Sequence, residues 1–388
     1  MTEKFPLYTF ILAHYNQSQY IFTALDSILQ QTYPAIEIIV MDDRSDIFDK
    51  EGVALYIEER KKSNIKSVQI IRNEENIGTV RSLNRALKST SGEFVHIFAA
   101  DDRLHDDGVA GNFVTEFEKL GAGAEMICAH AMIMDEQMHP PGEYFCSPRL
   151  HGSFNEMDAD EQYKMIANLC YWAMGAICAR TDLYRRLDYF SERYKYVEDW
   201  PFFLHITRSG VKVHTMDIKA LDHRDGGISR SFTDPDTPLS NGYLQDILEA
   251  RETEIFPYLS LFPSREQNVL VDNYYRDYQS LVDVGGARKK FRWYNFGKSN
   301  KKIMARRFIV DWLYKNNSFI KYSLQIIYLS ALILFVTFGL NNTSDAGIID
   351  ICMTISGAVL FCATAFFIIN IIGWLAYRVF RWSKASRV

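Results

Sequence analysis

The chain has 388 residues, of which 23% are charged and 48% hydrophobic, and a formal net charge of -5. That length exceeds one average domain, the composition is that of a folded globule, and the negative charge argues against nucleic acid as the main partner. Six cysteines (Cys128, Cys146, Cys170, Cys178, Cys352, Cys362) show neither a CxxC pair nor Cys/His metal spacing, which fits reduced thiols in a cytosolic domain. Thr2-Glu3-Lys4 leads directly into a strand, with no signal peptide expected.

Residues 7–13 form the first predicted strand, and His14-Tyr15-Asn16 follows at the end a ligand can reach. Ile21, Leu25, Ile28 and Leu29 recur at helical spacing within 18–31, and Pro34 punctuates that helix. Residues 35–41 are a second apolar strand with Asp42-Asp43-Arg44-Ser45-Asp46 at its tip. A helix over 53–62, a strand over 68–72, a polar loop over 73–78 and a helix over 79–89 come next. The run Phe94-Val95-His96-Ile97-Phe98-Ala99 is a buried strand that delivers Asp101 and Asp102 to a crevice. Two adjacent carboxylates repel one another, so a cation is expected beside them. A hard divalent ion, Mg²⁺ or Mn²⁺, bridging to a diphosphate would supply it. The βαβαβαβ order predicts an α/β fold with a mostly parallel sheet flanked by helices.

Further on, a helix over 108–120 and a strand over 124–134 precede a polar, proline-containing stretch over 135–155, read as a variable loop. A helix spans 158–169, and residues 171–180 read as a strand bringing Tyr171 and Trp172 near Gly175, for sugar stacking or for the core. A helix begins at Thr181. Glu198-Asp199-Trp200-Pro201 opens another helix, with Asp199 at the cap and Pro201 in the first turn. A strand over 211–215 precedes Asp222-His223-Arg224-Asp225-Gly226-Gly227.

The combination of His14-Tyr15-Asn16, Met41-Asp42-Asp43-Arg44-Ser45-Asp46, Asn76-Ile77-Gly78 with Arg81 and Asn84, and Asp101-Asp102 resembles family 2 glycosyltransferases of the GT-A fold, over roughly residues 5–230. The resemblance implies a nucleotide-sugar site. His14 and Asn16 would line it, Asp43 would hold the uracil or ribose, Arg81 a phosphate, and Asp101 the sugar or ribose. Asp102 and His223 would ligate the metal, while Arg224 or Arg230 would clamp the diphosphate. Asp42 is expected to cap the next turn. Ala99 stands where the commonest family form carries a third aspartate. Asp199 matches the family's proposed base, which implies a single inverting displacement. No GxGxxG or GxxxxGK[ST] loop competes for the nucleotide.

Beyond residue 235 the resemblance fades. Helices are expected over 244–258 and 264–284, with a tyrosine-rich face (Tyr274, Tyr275, Tyr278) suited to a subunit contact in a homo-oligomer. Arg288, Lys289, Lys290 and Arg292, interleaved with Phe291, Trp293 and Tyr294, suit an anionic membrane surface. Residues 324–340 and 348–376 are long enough for two spanning helices, and basic flanks on both outer sides place both chain ends in the cytoplasm. The expected organisation is a catalytic domain over 1–235, a helical and basic-aromatic region over 236–320, a transmembrane hairpin over 321–378 and a basic tail over 379–388. The acceptor implied is a polyprenyl-diphosphate-linked saccharide at the inner membrane's cytoplasmic face. A polyprenyl-phosphate acceptor, as in dolichyl-phosphate mannose synthase-like proteins, or a non-catalytic membrane scaffold with a degenerate GT-A domain, are the alternatives.

Overall fold

The computed structural model describes residues 5–140, 142–225 and 238–285. Arg230, the basic-aromatic segment, the two apolar segments and the basic tail lie outside the described residues. Among the described residues no helix is long and apolar enough to cross a membrane.

The first half is β1 (Tyr8–His14), α1 (Ile21–Leu29), β2 (Ile36–Asp42), α2 (Lys50–Arg60), β3 (Ile65–Arg72), α3 (Thr79–Lys88) and β4 (Phe94–Ala99). β2 is paired in parallel with both β1 and β3, and β1 with β4. All seven residues of β2 are buried, as a strand covered on both faces requires. The chain runs outward from β1 to β3 and then returns to β4 on β1's other side. The C-terminal ends of β1 and β4 therefore flank the switch point, where open α/β sheets leave a crevice.

The second half adds β5 (Arg103–Leu104), α4 (Val109–Leu120), β6 (Met126–Met134), β7 (Glu143–Tyr144), α5 (Pro148–Ser153), α6 (Ala159–Ile166), β8 (Ile177–Arg180), α7 (Thr181–Arg186), α8 (Asp199–Arg208) and β9 (Val213–Arg224). The sheet order is β3-β2-β1-β4-β8-β6-β9-β5, with β7 on β6. β8 lies antiparallel to both β4 and β6, so the sheet is mixed rather than mostly parallel. The architecture is α/β, a mixed sheet with helices packed against it. The strand expected over 171–180 begins only at Ile177, because Met174–Ala176 wind into a 3₁₀ turn. β9 continues to Arg224, so His223 and Arg224 sit on a strand rather than on a free loop.

Two further helices, α9 (Pro238–Ala250) and α10 (Ser264–Gly285), are joined by a π turn and a 3₁₀ segment. They pack on the sheet-bearing part of the chain across the expected boundary at 235. Tyr163 donates to the Glu254 carbonyl (2.7 Å), and the Arg251 guanidinium lies 5.0 Å from the Trp200 ring centre. Tyr274, Tyr275 and Tyr278 are buried at 1%, 7% and 8% exposure, so the tyrosine-rich face covers the chain's own interior instead of a subunit contact.

Glu37 interrupts the apolar run of β2 and is buried. Its carboxylate accepts from the Thr9 hydroxyl (2.7 Å), the Ser67 hydroxyl (3.1 Å) and the Ser91 N–H (2.8 Å), tying β1, β3 and the turn before β4 to one point. Replacing it by an apolar residue of similar size strands the buried Thr9 hydroxyl and takes the partner from two less buried donors. Glu37→Leu is expected to cost about 3 kcal/mol in urea unfolding, and Glu37→Gln about 1 kcal/mol. Equal midpoints for wild type and Glu37→Leu would contradict this role.

Candidate active site

Asp42 closes β2 and is fully buried. It receives the Ser45 hydroxyl at 2.5 Å, lies 2.8 Å from His14 Nδ1 and forms an ion pair with Arg72 at 3.0 Å. Burial alone would push its carboxyl up, but the bonds from His14 and Ser45 outweigh that and hold it below its ordinary value. His14 is thus an interior partner of Asp42. Its ring is 2% exposed and packs 5.1 Å from Phe48, so it does not face a ligand as the sequence suggested. Asn16, at φ 54°, is exposed, but its side chain is stapled to the β2 tip, accepting from the Asp46 N–H at 2.9 Å.

Asp43 is 6% exposed and accepts from the Asn73 amide (2.8 Å) and from the Ile77 and Gly78 N–H groups (both 2.9 Å). It therefore anchors the loop before α3. Gly78 has φ 89°, and a Cβ there would stand 2.6 Å from Lys195 Cγ and 2.9 Å from the Lys195 carbonyl, so only glycine permits this approach. Arg81 turns away from the strand tips. Its side chain is 58% exposed and pairs with Glu192 at 3.3 Å. Asn84 exchanges two hydrogen bonds with the main chain of Phe190 and so locks α3 to the segment leading into α8.

Asp101 and Asp102 follow β4, each 5% exposed. Burial, then the charge of Asp102, pushes the Asp101 carboxyl up to about 6. Asp102 accepts from the Arg224 N–H (3.0 Å), and its two oxygens lie 3.0 and 3.1 Å from His223 Nδ1. Burial would lower His223, but the bond to Asp102 and its charge outweigh this and raise the imidazole to about 8. At neutral pH His223 is the cation opposite Asp102.

The Arg224 guanidinium donates to the carbonyls of Asp101 (2.9 Å) and Glu136 and lies 4.2 Å from the Tyr20 ring centre. It braces the β4 tip from behind rather than reaching out to clamp a diphosphate. Asp222, which sequence reasoning passed over, receives Arg103 Nε at 2.9 Å and lies 2.6 Å from His105 Nδ1. It ties β5 to β9 beside His223. Its signal was a lone acid inside an apolar strand end, Ala220-Leu221-Asp222.

These groups suit a divalent ion. Two buried carboxylates carry more negative charge than one imidazolium offsets, and Mg²⁺ or Mn²⁺ commonly takes only one or two carboxylates plus substrate phosphates. Among the described residues no three side chains already form a complete ligand cluster. A donor diphosphate would have to supply the remaining oxygens.

α8 opens at Asp199, whose Oδ1 accepts from the Trp200 N–H at 2.6 Å. The Trp200 indole donates to the Ile166 carbonyl (2.8 Å) and fixes the helix start. Burial raises Asp199, and burial together with the charge of Asp199 pushes Glu198 up to about 8. This pair therefore keeps one proton at neutral pH. Sequence reasoning named only Asp199. Trp172 is 1% exposed and packs tilted against Phe154 and edge-on against Phe203, so it belongs to the core and not to a sugar platform.

Residues 9–173 match the family described as Glycosyl transferase family 2. An uncharacterized glycosyltransferase of Haemophilus influenzae is 30% identical over 215 residues, covering 54% of this chain and 62% of that protein. The amylovoran biosynthesis glycosyltransferase AmsB of Erwinia amylovora is 23% identical over 214 residues, covering 53% of this chain and 65% of that protein. The chain thus spans less than two thirds of the length of these curated relatives. A solved structure of S. aureus TarS 1-349 in complex with UDP-GlcNAc aligns at 18% identity with a TM-score of 0.49, covering 74% of this chain and 76% of that one. Residues 9–173 are thus similar to glycosyl transferase family 2.

Proposed function

We propose that this chain is an inverting, metal-dependent glycosyltransferase that moves one sugar from a nucleoside-diphosphate sugar, with uridine the favoured nucleoside, to a polyprenyl-diphosphate-linked saccharide. The observation that carries the reading is the pairing of two unlike carboxylate sites. Asp101 and Asp102 are short of positive charge at the switch point, and Glu198–Asp199 holds one proton at the start of α8. The membrane setting is supported by the apolar segments 324–340 and 348–376 with their basic flanks. A membrane anchor would hold the site at the cytoplasmic face, where a lipid-linked acceptor is presented. Assembly of a surface polysaccharide is the role that best unites such an acceptor with the amylovoran relative.

The chain's own residues account for the steps. Asp102 and His223 are the side chains that would hold Mn²⁺ or Mg²⁺, His223 giving up the proton it carries in the metal-free protein, and the bound ion would offset charge on the departing diphosphate. Asp101, beside them, accepts hydrogen bonds from donor hydroxyls. Asp43 keeps the 73–78 loop in place at the edge of the site. Glu198 keeps its proton, so the negative charge of the pair rests on Asp199, which takes the proton of the attacking acceptor hydroxyl. One displacement with one base inverts the anomeric centre.

The test is release of nucleoside diphosphate by the purified full chain with Mn²⁺ across a panel of nucleotide-sugars. One donor should be hydrolysed slowly, and Asp102→Ala should abolish this. Absence of both hydrolysis and metal-dependent nucleotide binding across the panel would leave the scaffold reading standing.

Asp199→Asn should lower transfer by about 10²–10⁴-fold while leaving nucleotide binding unchanged. Transfer that survives this substitution would favour a polyprenyl-phosphate acceptor, whose nucleophile is already an anion. Because Asp199 is raised and must be ionised to act, transfer should rise with pH. Its acid limb should lie above the ordinary carboxylate value. A pH–rate profile flat down to pH about 4 would contradict this, since an unshifted aspartate titrates near that value.

A further inference from the structure

The turn that precedes Glu198 and Asp199 is held by a residue of α9, outside the family-matched segment. The N–H groups of Lys195, Tyr196 and Val197 converge on one oxygen, Oδ2 of Asp246, at 2.8, 2.6 and 3.2 Å. Three consecutive main-chain donors aimed at one anion fix the backbone that makes them, as in anion nests. Asp246 is 8% exposed.

Two neighbouring contacts tighten this arrangement. Gly242, one turn before Asp246, lies so near Tyr196 that a Cβ there would stand 2.3 Å from its ring. From the other side the Val80 N–H reaches the Lys195 carbonyl at 3.4 Å, next to the close approach of Gly78. Residues 195–197 are therefore gripped between the loop that Asp43 organises and the helix that carries Asp246. On the same helix, burial and then the charge of Asp199 raise the Tyr243 phenol.

We infer that Asp246 is a positioning residue for sugar transfer: it sets the backbone from which the Glu198–Asp199 carboxylates project toward the acceptor. The inference rests on the proposed transferase function. A base displaced by about 1 Å loses about 10²-fold in rate even when substrate binding survives.

The experiment compares wild type, Asp246→Ala and Asp246→Asn as full chains. It measures kcat for transfer, KM for the donor, and hydrogen exchange at the amides of residues 195–197. In Asp246→Ala those amides should exchange faster, kcat should fall about 10-fold or more, and donor KM should stay within about twofold. Asp246→Asn keeps an acceptor oxygen and should recover most of both the protection and the kcat. Unchanged kcat in Asp246→Ala despite deprotected amides would overturn the role. So would parallel loss of kcat, donor affinity and melting temperature in both variants, which would mark a merely structural group. A wild type that acts on no donor would sink the transferase reading itself. The exchange data alone would then show whether the clamp exists.

Discussion

A buried carboxylate must be met by donors or by positive charge, or it takes up a proton. The C-terminal edge of this sheet gathers Asp42, Asp43, Asp101, Asp102 and Asp222, none more than 6% exposed. How each is satisfied decides what it does. Asp42 is met by His14, Ser45 and Arg72, Asp43 by Asn73 and two main-chain N–H groups, and Asp222 by Arg103 and His105. These three are architecture, and they hold the loops that surround the crevice.

The remaining acids are not satisfied in that way. Burial and then a neighbouring carboxylate drive Asp101 up to about 6 and Glu198 up to about 8, and His223 is raised to about 8 by Asp102 against the effect of its burial. Holding like charges together costs stability, and such strain concentrates where a ligand or reaction relieves it. The helices after residue 235 bear on the same region. Asp246 and Arg251 fasten α9 and the π turn that follows it to the start of α8. A short link runs from the Asp43 carboxylate through the Gly78 N–H, and from the Val80 N–H through the Lys195 carbonyl and N–H, to the Asp246 carboxylate.

Much of this was legible in the chain. Apolar runs ending in polar residues located β1, β2 and β4 and the crevice between them, and the Asp101-Asp102 pair and Asp199 stood out by their chemistry. What sequence could not supply was direction. His14, Asn16, Arg81 and Arg224 lie at the expected strand tips and helix start, yet their side chains turn to Asp42, Asp46, Glu192 and the Asp101 carbonyl. A polar residue at a strand end reads the same whether it faces a ligand or braces the neighbouring turn. The apolar, aromatic run 171–176 read as strand because packing of Trp172 into the core, not periodicity, shapes it. β5, two residues long, carries no pattern at all. Asp246 lies about 50 residues from the turn it holds, a pairing that only the folded chain displays.

The measurement closest to the central claim is calorimetry of nucleoside diphosphate binding to the full chain, with Mn²⁺ and with a chelator, for wild type and Asp102→Asn. If Asp101 and Asp102 await a cation that arrives with the donor, the wild type will bind one nucleoside diphosphate only with the metal, and Asp102→Asn will not. Equal affinity in chelator, or unchanged metal-dependent binding in the variant, would contradict the account.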